Sequence, residues 1–387
     1  MKNRYLLSFM AFFLCISPLF SQDEEDSSPV TISGSIDAYF RANLGAPNKV
    51  NPAAPGTSFA NRPGFALGMA NLVIAKEGEK AGFVADLVFG PRGEDAVFGS
   101  PLNILLNDVQ GGSAQIVNQL YAYWNASDVV TFTLGNFNTF LGYEVISPAS
   151  NFNYSTSYMF SYGPFSHTGL KADFALSDDV SAMLAIMNPT DMTEFNLAGS
   201  YTFGAQLGFK GVYLNFLYGD QDGTLDDDFA LGTEDTSAGN TFQADLTAGW
   251  DLSETLYLGV NATYNTTGAG EFFDGTSIQD ADGDGAGFYG VAGYLQLATS
   301  DVFAIGTRIE YFSVFNNGLG VIGLDTDGDG NVIDVTLTGQ YKVGDLTIIP
   351  EFRLDSASED TFPDNDSPQT PSTTSLSSFV LAAVYSF

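Results

Sequence analysis

Cysteine is almost absent. The single one, Cys15, sits in the first twenty-one residues, so the rest of the chain contains no disulfide. Histidine is as scarce. His167 is alone in 387 residues, which sets histidine-based catalysis aside as a class. A lipid hydrolase would need a serine, a histidine and an orienting third group; Ser166-His167 is the only adjacent pair, and no third group accompanies it. We therefore expect no enzymatic activity and no required cofactor. No long apolar run follows residue 21, which excludes a helical membrane protein. Basic residues are few, 13 against 46 acidic ones. Two of the thirteen, Lys2 and Arg4, lie in the first segment, so 11 bases face all 46 acids in the remainder, a net charge of −35. A balance this acidic argues against nucleic acid and anionic lipid headgroups as partners.

Residues 1–21 read as a signal peptide. Lys2 and Arg4 form a basic start, Tyr5 to Phe20 is apolar, and Ser21 offers a small residue for cleavage. Residues 22–29 form an acidic leader, opening with Asp23-Glu24-Glu25-Asp26. The stretch Ser375–Phe387 is the pattern around which the other segments fall into place. Phe379, Leu381, Ala383, Tyr385 and Phe387 share one face of a strand, and Ser378, Val380, Ala382, Val384 and Ser386 share the other. An apolar, aromatic-tipped strand of this kind suits the closing strand of a membrane barrel, with Tyr385 and Phe387 in an interfacial girdle.

Val30–Asn43 alternates in the same way, with Ile32, Gly34, Ile36, Ala38, Phe40 and Ala42 on one face. Fourteen residues exceed the roughly 5–6 of an ordinary globular strand. Similar segments recur through the chain, including Phe195–Leu207, and bring the expected total to sixteen. Short connections such as Glu77–Lys80, Asn125–Asp128 and Ser300–Asp301 alternate with long ones such as Leu44–Pro63, Leu141–His167 and Asp220–Asn240; Pro189–Glu194 alone is intermediate. That alternation predicts an all-β chain: a transmembrane up-and-down antiparallel barrel of about 16 strands over residues 30–387, with tight periplasmic turns, long outer loops and both ends periplasmic. Pro350, which lacks a ladder N–H, predicts a bulge in its strand.

Four stretches carry a resemblance: Thr133–Glu144 (TLGNFNTFLGYE), Asn153–Phe165 (NYSTSYMFSYGPF), Thr168–Phe174 (TGLKADF) and Pro350–Asp355 (PEFRLD). Together they resemble the OmpL-like β-barrel porins of Bacteroidetes and related bacteria. Gly135 to Glu144 is the most specific part. Pro350 departs from the pattern, since an aromatic or charged residue is more usual there. The resemblance implies an outer-membrane porin and leaves the solute open.

A sixteen-strand barrel is wide enough to hold a channel, so inward residues set its function. The expected pore-lining set is Asp37, Arg41, Lys171, Asp173, Asp245, Arg308, Glu310, Glu351 and Arg353 on strands, with Glu144 at the start of the loop Leu141–His167. Arg308 with Glu310, and Arg353 with Glu351, are same-face neighbours that read either as a charged constriction or as wall charges balanced against each other. The aromatic loop Leu141–His167 is expected to fold into the lumen. Asp325, Asp327 and Asp329, with Gly330 and the carbonyl of Asn331, have the spacing of a calcium loop, but Thr336 stands where a bidentate carboxylate belongs. Asp280–Gly285 repeats the spacing. These residues predict passive diffusion of small hydrophilic solutes through the bacterial outer membrane, with a mild cation preference and, by analogy with other sixteen-strand porins, a homotrimer. The competing reading is a surface scaffold or adhesin with calcium-stiffened outer loops.

Overall fold

In the computed structural model the described residues are 29–49, 52–98, 116–221, 239–271, 277–278 and 283–387. The expected signal peptide, most of the acidic leader, most of Asp220–Asn240 and Asp280 to Asp282 lie outside them.

Sixteen antiparallel strands close into one barrel. They are β1 (Val30–Asn43) to β11 (Leu256–Thr267) and β14 (Ala286–Ser300) to β18 (Ser375–Ser386). A small hairpin, β12 (Gly270–Glu271) with β13 (Ser277–Ile278), stands apart in one connection. Each barrel strand pairs with its sequence neighbours, and β1 pairs with β18 to close the ring. At the seam the Gly34 N–H donates to the Phe387 carbonyl at 3.0 Å and the Phe387 N–H donates back to Gly34 at 3.0 Å.

The alternation in the sequence becomes two surfaces of opposite character. On β16 (Gly330–Val343), Ile333, Val335 and Leu337 are exposed on the outside, while Asp334, Thr336 and Thr338 are completely buried inside. On β18, Leu381 and Tyr385 face outward, and Val380, Ala382 and Val384 are buried. The largest fully buried side chains include Arg41, Arg308 and Arg353. A soluble domain places charge outside and apolar bulk inside; the inversion here is what lipid on the outer face demands. Exposed aromatics gather at both ends of the wall. Trp124, Phe209, Trp250, Tyr341 and Tyr385 ring the short-turn end, and Phe65, Tyr218, Phe242, Tyr264 and Tyr289 ring the other.

Four of the short turns share one local device. The hydroxyls of Ser127, Ser177, Ser253 and Ser300 each accept the N–H of the residue three further on, at 3.1 Å in all four turns. A serine oxygen that satisfies a turn amide fixes the reversal without glycine.

Two expectations need correction. The strand expected at Phe195–Leu207 begins only at Thr202 as β8 (Thr202–Phe209). Asn196 folds the preceding residues into a turn, accepting the Gly199 N–H at 2.8 Å and donating to the Ser200 carbonyl at 2.6 Å. The connection after β7 (Val180–Met187) is therefore long, like the others at its end. Pro350 produces no bulge. β17 (Leu346–Ala357) runs through it with its register to β18 unbroken, and the pairing to β16 resumes beyond the proline in the same register. The pyrrolidine lies beside Gly339 of β16, where a Cβ would come within 3.4 Å of the ring. True register shifts occur elsewhere, in β2 (Gly64–Lys76) against β1, in β4 (Val117–Asn125) against β3 (Ala81–Phe89), and between β14 and β15 (Phe303–Phe315).

Candidate functional site in the barrel lumen

The segment between β5 (Val130–Asn138) and β6 (Ser166–Ala175) turns inward and crosses the lumen, as expected. The Gly142 N–H donates to Asp245 of β10 (Thr241–Asp251) at 2.9 Å. The Tyr143 hydroxyl donates to that of Tyr257 on β11 at 3.1 Å, and its ring stacks on Tyr294 of β14 at 4.1 Å between centroids. Farther along, Asn153 donates to Thr338 of β16 at 2.7 Å, and the Tyr154 hydroxyl donates to Asp37 of β1. The loop thus lies against the wall from β10 round to β1.

Buried charges hold it there by its backbone. Glu351 accepts the N–H groups of Tyr154 and Ser155 at 2.8 and 2.9 Å. Glu144 accepts that of Ser157 at 2.7 Å. Glu310 accepts those of Tyr158 and Met159, both at 2.8 Å. These last two open the short helix α2 (Tyr158–Tyr162), whose N-cap Ser157 accepts from the Phe160 N–H. The arginines take the carbonyls. Arg308 donates to Ser155 at 2.7 Å and Thr156 at 3.2 Å, and Arg353 donates to Thr156 at 2.7 Å. Amides and carbonyls that water would serve in an outer loop are served here by acidic and basic side chains.

Asp334 joins the two arginines, lying 2.7 Å from Arg308 and 3.0 Å from Arg353. Glu144 also pairs with Arg308, and Asp355 with Arg353, each at 2.7 Å. Neither expected same-face pair forms: Glu310 and Glu351 spend their oxygens on loop amides, and the arginines turn to Asp334, Asp355 and Glu144. Sequence reasoning passed over Asp334 and Asp355. Their signal was present, because each occupies an inward position of an alternating strand beside residues that were chosen.

Two neighbouring segments complete the filling. Arg41 donates to the Ala53 carbonyl at 3.1 Å, tying the β1–β2 connection inward. Arg92, in the short helix α1 (Pro91–Ala96), donates to the Ile146 carbonyl at 2.8 Å.

The ten expected lining residues divide on exposure. Asp37, Arg41, Glu144, Asp245, Arg308, Glu310, Glu351 and Arg353 point inward but are buried, at 8% exposure or less, because the loops cover them. Asp37 takes the Met69 N–H at 2.9 Å within the β2 bulge, and Asp245 is ringed by Asn215, Asn261 and the Gly142 amide. Only Lys171 and Asp173 remain accessible. They form an ion pair at 2.9 Å with side-chain exposures of 25% and 40%. Around them on the uncovered wall, Gln119, Tyr121 and Tyr123 of β4 and Gln206 of β8 are partly exposed. His167 is fully buried beside Phe137 and Phe140, and its Nε2 lies 3.0 Å from the Thr139 hydroxyl.

At the candidate calcium loop, Asp325 Oδ1 accepts the backbone N–H groups of Asp327 and Asp329 at 2.9 and 3.0 Å. Asp329 Oδ1 accepts the Asn316 N–H at 3.1 Å. Among the described residues, no three His, Cys, Asp or Glu side chains gather as a metal-holding group.

The comparisons agree with this architecture. A family model described as "Putative beta-barrel porin-2, OmpL-like" matches residues 29–387. Curated proteins return no match. Among solved structures, the chain resembles an anion-selective porin from Comamonas acidovorans, at TM-score 0.56 and 9% identity, over 93% of this chain and 100% of that one. The outer membrane channel DcaP of Acinetobacter baumannii gives 0.54 and 9%, over 94% and 99%. The trimer form of the outer membrane protein OmpT of Vibrio cholerae gives 0.54 and 11%, over 94% and 100%. At such identities the likeness is one of fold.

Proposed function

The chain belongs to the OmpL-like β-barrel porin family, and from that premise we propose that this outer-membrane channel passes small hydrophilic solutes by diffusion and mildly prefers cations. The observation that carries the reading is the asymmetry of the lumen: the inward loop lies against the wall from β10 to β1, while polar side chains opposite stay accessible. The passage runs between the loop and that uncovered wall, past Lys171 and Asp173.

The cation preference rests on two arguments. The net charge of −35 beyond residue 21 makes the surface potential negative. Arg41, Arg308 and Arg353, which could favour anions at a constriction, are buried against carbonyls and carboxylates and meet no passing ion. The Debye length is about 8 Å at physiological salt, so the preference should be modest and fall as salt rises. The test is the reversal potential of the full mature chain in a planar bilayer under a KCl gradient at low salt. Cation selectivity that weakens with added salt is expected. Anion selectivity, the property named for the Comamonas porin, would overturn the charge argument, and absence of stepwise current would overturn the channel itself. A homotrimer is part of the proposal, supported by the trimeric OmpT form, and chemical cross-linking in native outer membranes would test it.

A further inference from the structure

On the short-turn side of the inward loop lies a cavity of about 470 Å³, within the roughly 300–1,000 Å³ of small-molecule sites. Its walls come from the loop and from the inner faces of β11, β14 and β16. Aromatic rings and neutral amides dominate it: Tyr143, Phe152 and Tyr257, with Asn151, Gln296 and Gln340. The one charged group in the lining is Glu144, and it is already engaged by Arg308 at 2.7 Å and by the Ser157 amide at 2.7 Å.

We propose that this cavity is a binding subsite for a neutral saccharide, holding a sugar ring against the aromatic wall on its way through the channel. The proposal rests on the channel reading for its physiological setting, but binding at the cavity can be measured without any current.

The chemistry of the lining selects the ligand class. A sugar ring presents an apolar C–H face and an edge of paired hydroxyls, so it needs an aromatic surface beside groups that both donate and accept. Asn and Gln amides supply a donor and an acceptor from one side chain, and buried ring faces supply the apolar contact. Gln340 is pre-positioned to accept, because its Nε2 already donates to the carbonyls of Asn151 and Phe152 at 3.3 and 2.9 Å. The Asn151 amide is held by the Val145 backbone at 3.0 and 2.6 Å, so Gln296 is the lining amide that can both donate and accept. The rings are seated directly on the barrel wall at glycines. A Cβ at Gly306 would come within 2.5 Å of the Phe152 ring, and one at Gly259 within 2.5 Å of the Tyr143 hydroxyl. Those glycines give the rings their place without narrowing the cavity. A zwitterion or a phosphate ester would have to leave its charge without a free counter-charge, because Glu144 and Arg308 are spent on each other and on the loop. A site built around hydroxyl-bonding groups also rejects analogues that lack them.

Isothermal titration calorimetry on the full mature chain in detergent tests this, with an α-1,4-linked glucose trisaccharide and sucrose as neutral probes and glucose 6-phosphate and glycine as charged ones. We expect saturable binding of at least one neutral sugar, at least tenfold tighter than either charged probe. Gln296→Ala should weaken it at least tenfold. Phe152→Leu, which keeps bulk and loses the ring, should do the same, and provides a second readout if the first variant fails to fold. In planar bilayers the sugar that binds should interrupt the current. No neutral sugar binding above the charged probes, or affinity unchanged in both folded variants, would overturn the proposal. Absence of current in plain KCl would instead count against the channel reading.

Discussion

The two sides of the lumen are built by the same alternating code and put to different uses. From β15 to β17, Arg308, Glu310, Asp334, Glu351, Arg353 and Asp355 are buried at 2% exposure or less. Glu310, Glu351 and the two arginines bind the backbone of the inward loop, and Asp334 and Asp355 hold the arginines. On β6, Lys171 and Asp173 meet across 2.9 Å and keep a quarter or more of their surface. Both sets are inward charges of mixed sign on β-strands. The difference lies in what covers them. A charge under the loop has lost its water, and it is retained because most of the partners lost with water are replaced by a carbonyl, an amide or an opposite charge, although the Arg308 Nε stays buried without one. A charge on the open side keeps its water and contributes to the field along the passage instead. Inward position therefore does not identify a residue as lining; exposure does.

The comparison can be broken most severely at Arg308. Arg308→Ala leaves Glu144 and Asp334 buried without their shared cation and should cost about 3–5 kcal/mol. Reversible urea unfolding from lipid vesicles would measure it, and a variant as stable as the parent would refute the anchoring role. Channel current in the folded fraction should also become noisier as the loop loosens.

Glu351→Gln is the gentler form of the same test. The amide can accept one of the N–H groups of Tyr154 and Ser155 but sets a donor against the other, for a loss of about 1.5–3 kcal/mol. Glu351→Asp, with its shorter reach, should not restore the bond.

The return end of the loop uses a different anchor. Asp191, in the connection after β7, accepts the N–H groups of Phe165 and Ser166, both at 2.8 Å. Burial pushes its carboxyl up to about 6, although those two bonds pull the other way. A carboxyl whose folded pKa stands above its unfolded value of about 3.9 favours the folded state most below that value, and the benefit is lost as pH rises through about 6. Between pH 4 and 7 the parent should therefore lose stability relative to Asp191→Asn, and parallel unfolding midpoints would contradict this.

The smallest stability effect is expected on the open side. Lys171→Ala removes a half-exposed ion pair worth about 1 kcal/mol or less, yet it leaves Asp173 alone beside the passage. Reversal potentials should shift toward stronger cation selectivity. A large loss of stability with unchanged selectivity would erase the contrast between the two walls.

Particular residues show where the reading of the chain succeeded and where it stopped. The face of Ile333, Val335 and Leu337 was legible because period-2 alternation in lipid has only one solution. The turn at Ser300 was legible because a short polar break between two alternating runs can only reverse the chain. Phe195 misled, because Phe195, Leu197 and Tyr201 carry the odd-numbered apolar face of β8 backward and look like the strand itself until Asn196 is seen capping a turn. Pro350 misled for a different reason: the missing N–H interrupts the pairing to β16 only at Ile349 and Pro350, while the ladder to β18 continues through the proline and keeps the register.

Strand number, sidedness and the membrane setting follow from local periodicity and connection length, which each segment carries within itself. The roles of Glu144, Glu310 and Glu351 do not, because each depends on a backbone atom between 13 and 197 positions away in the chain. Alternation tells a side chain to point inward. Whether it meets water there or a folded loop is settled by which distant segment comes to lie over it, and closing the barrel is what brings that segment within reach.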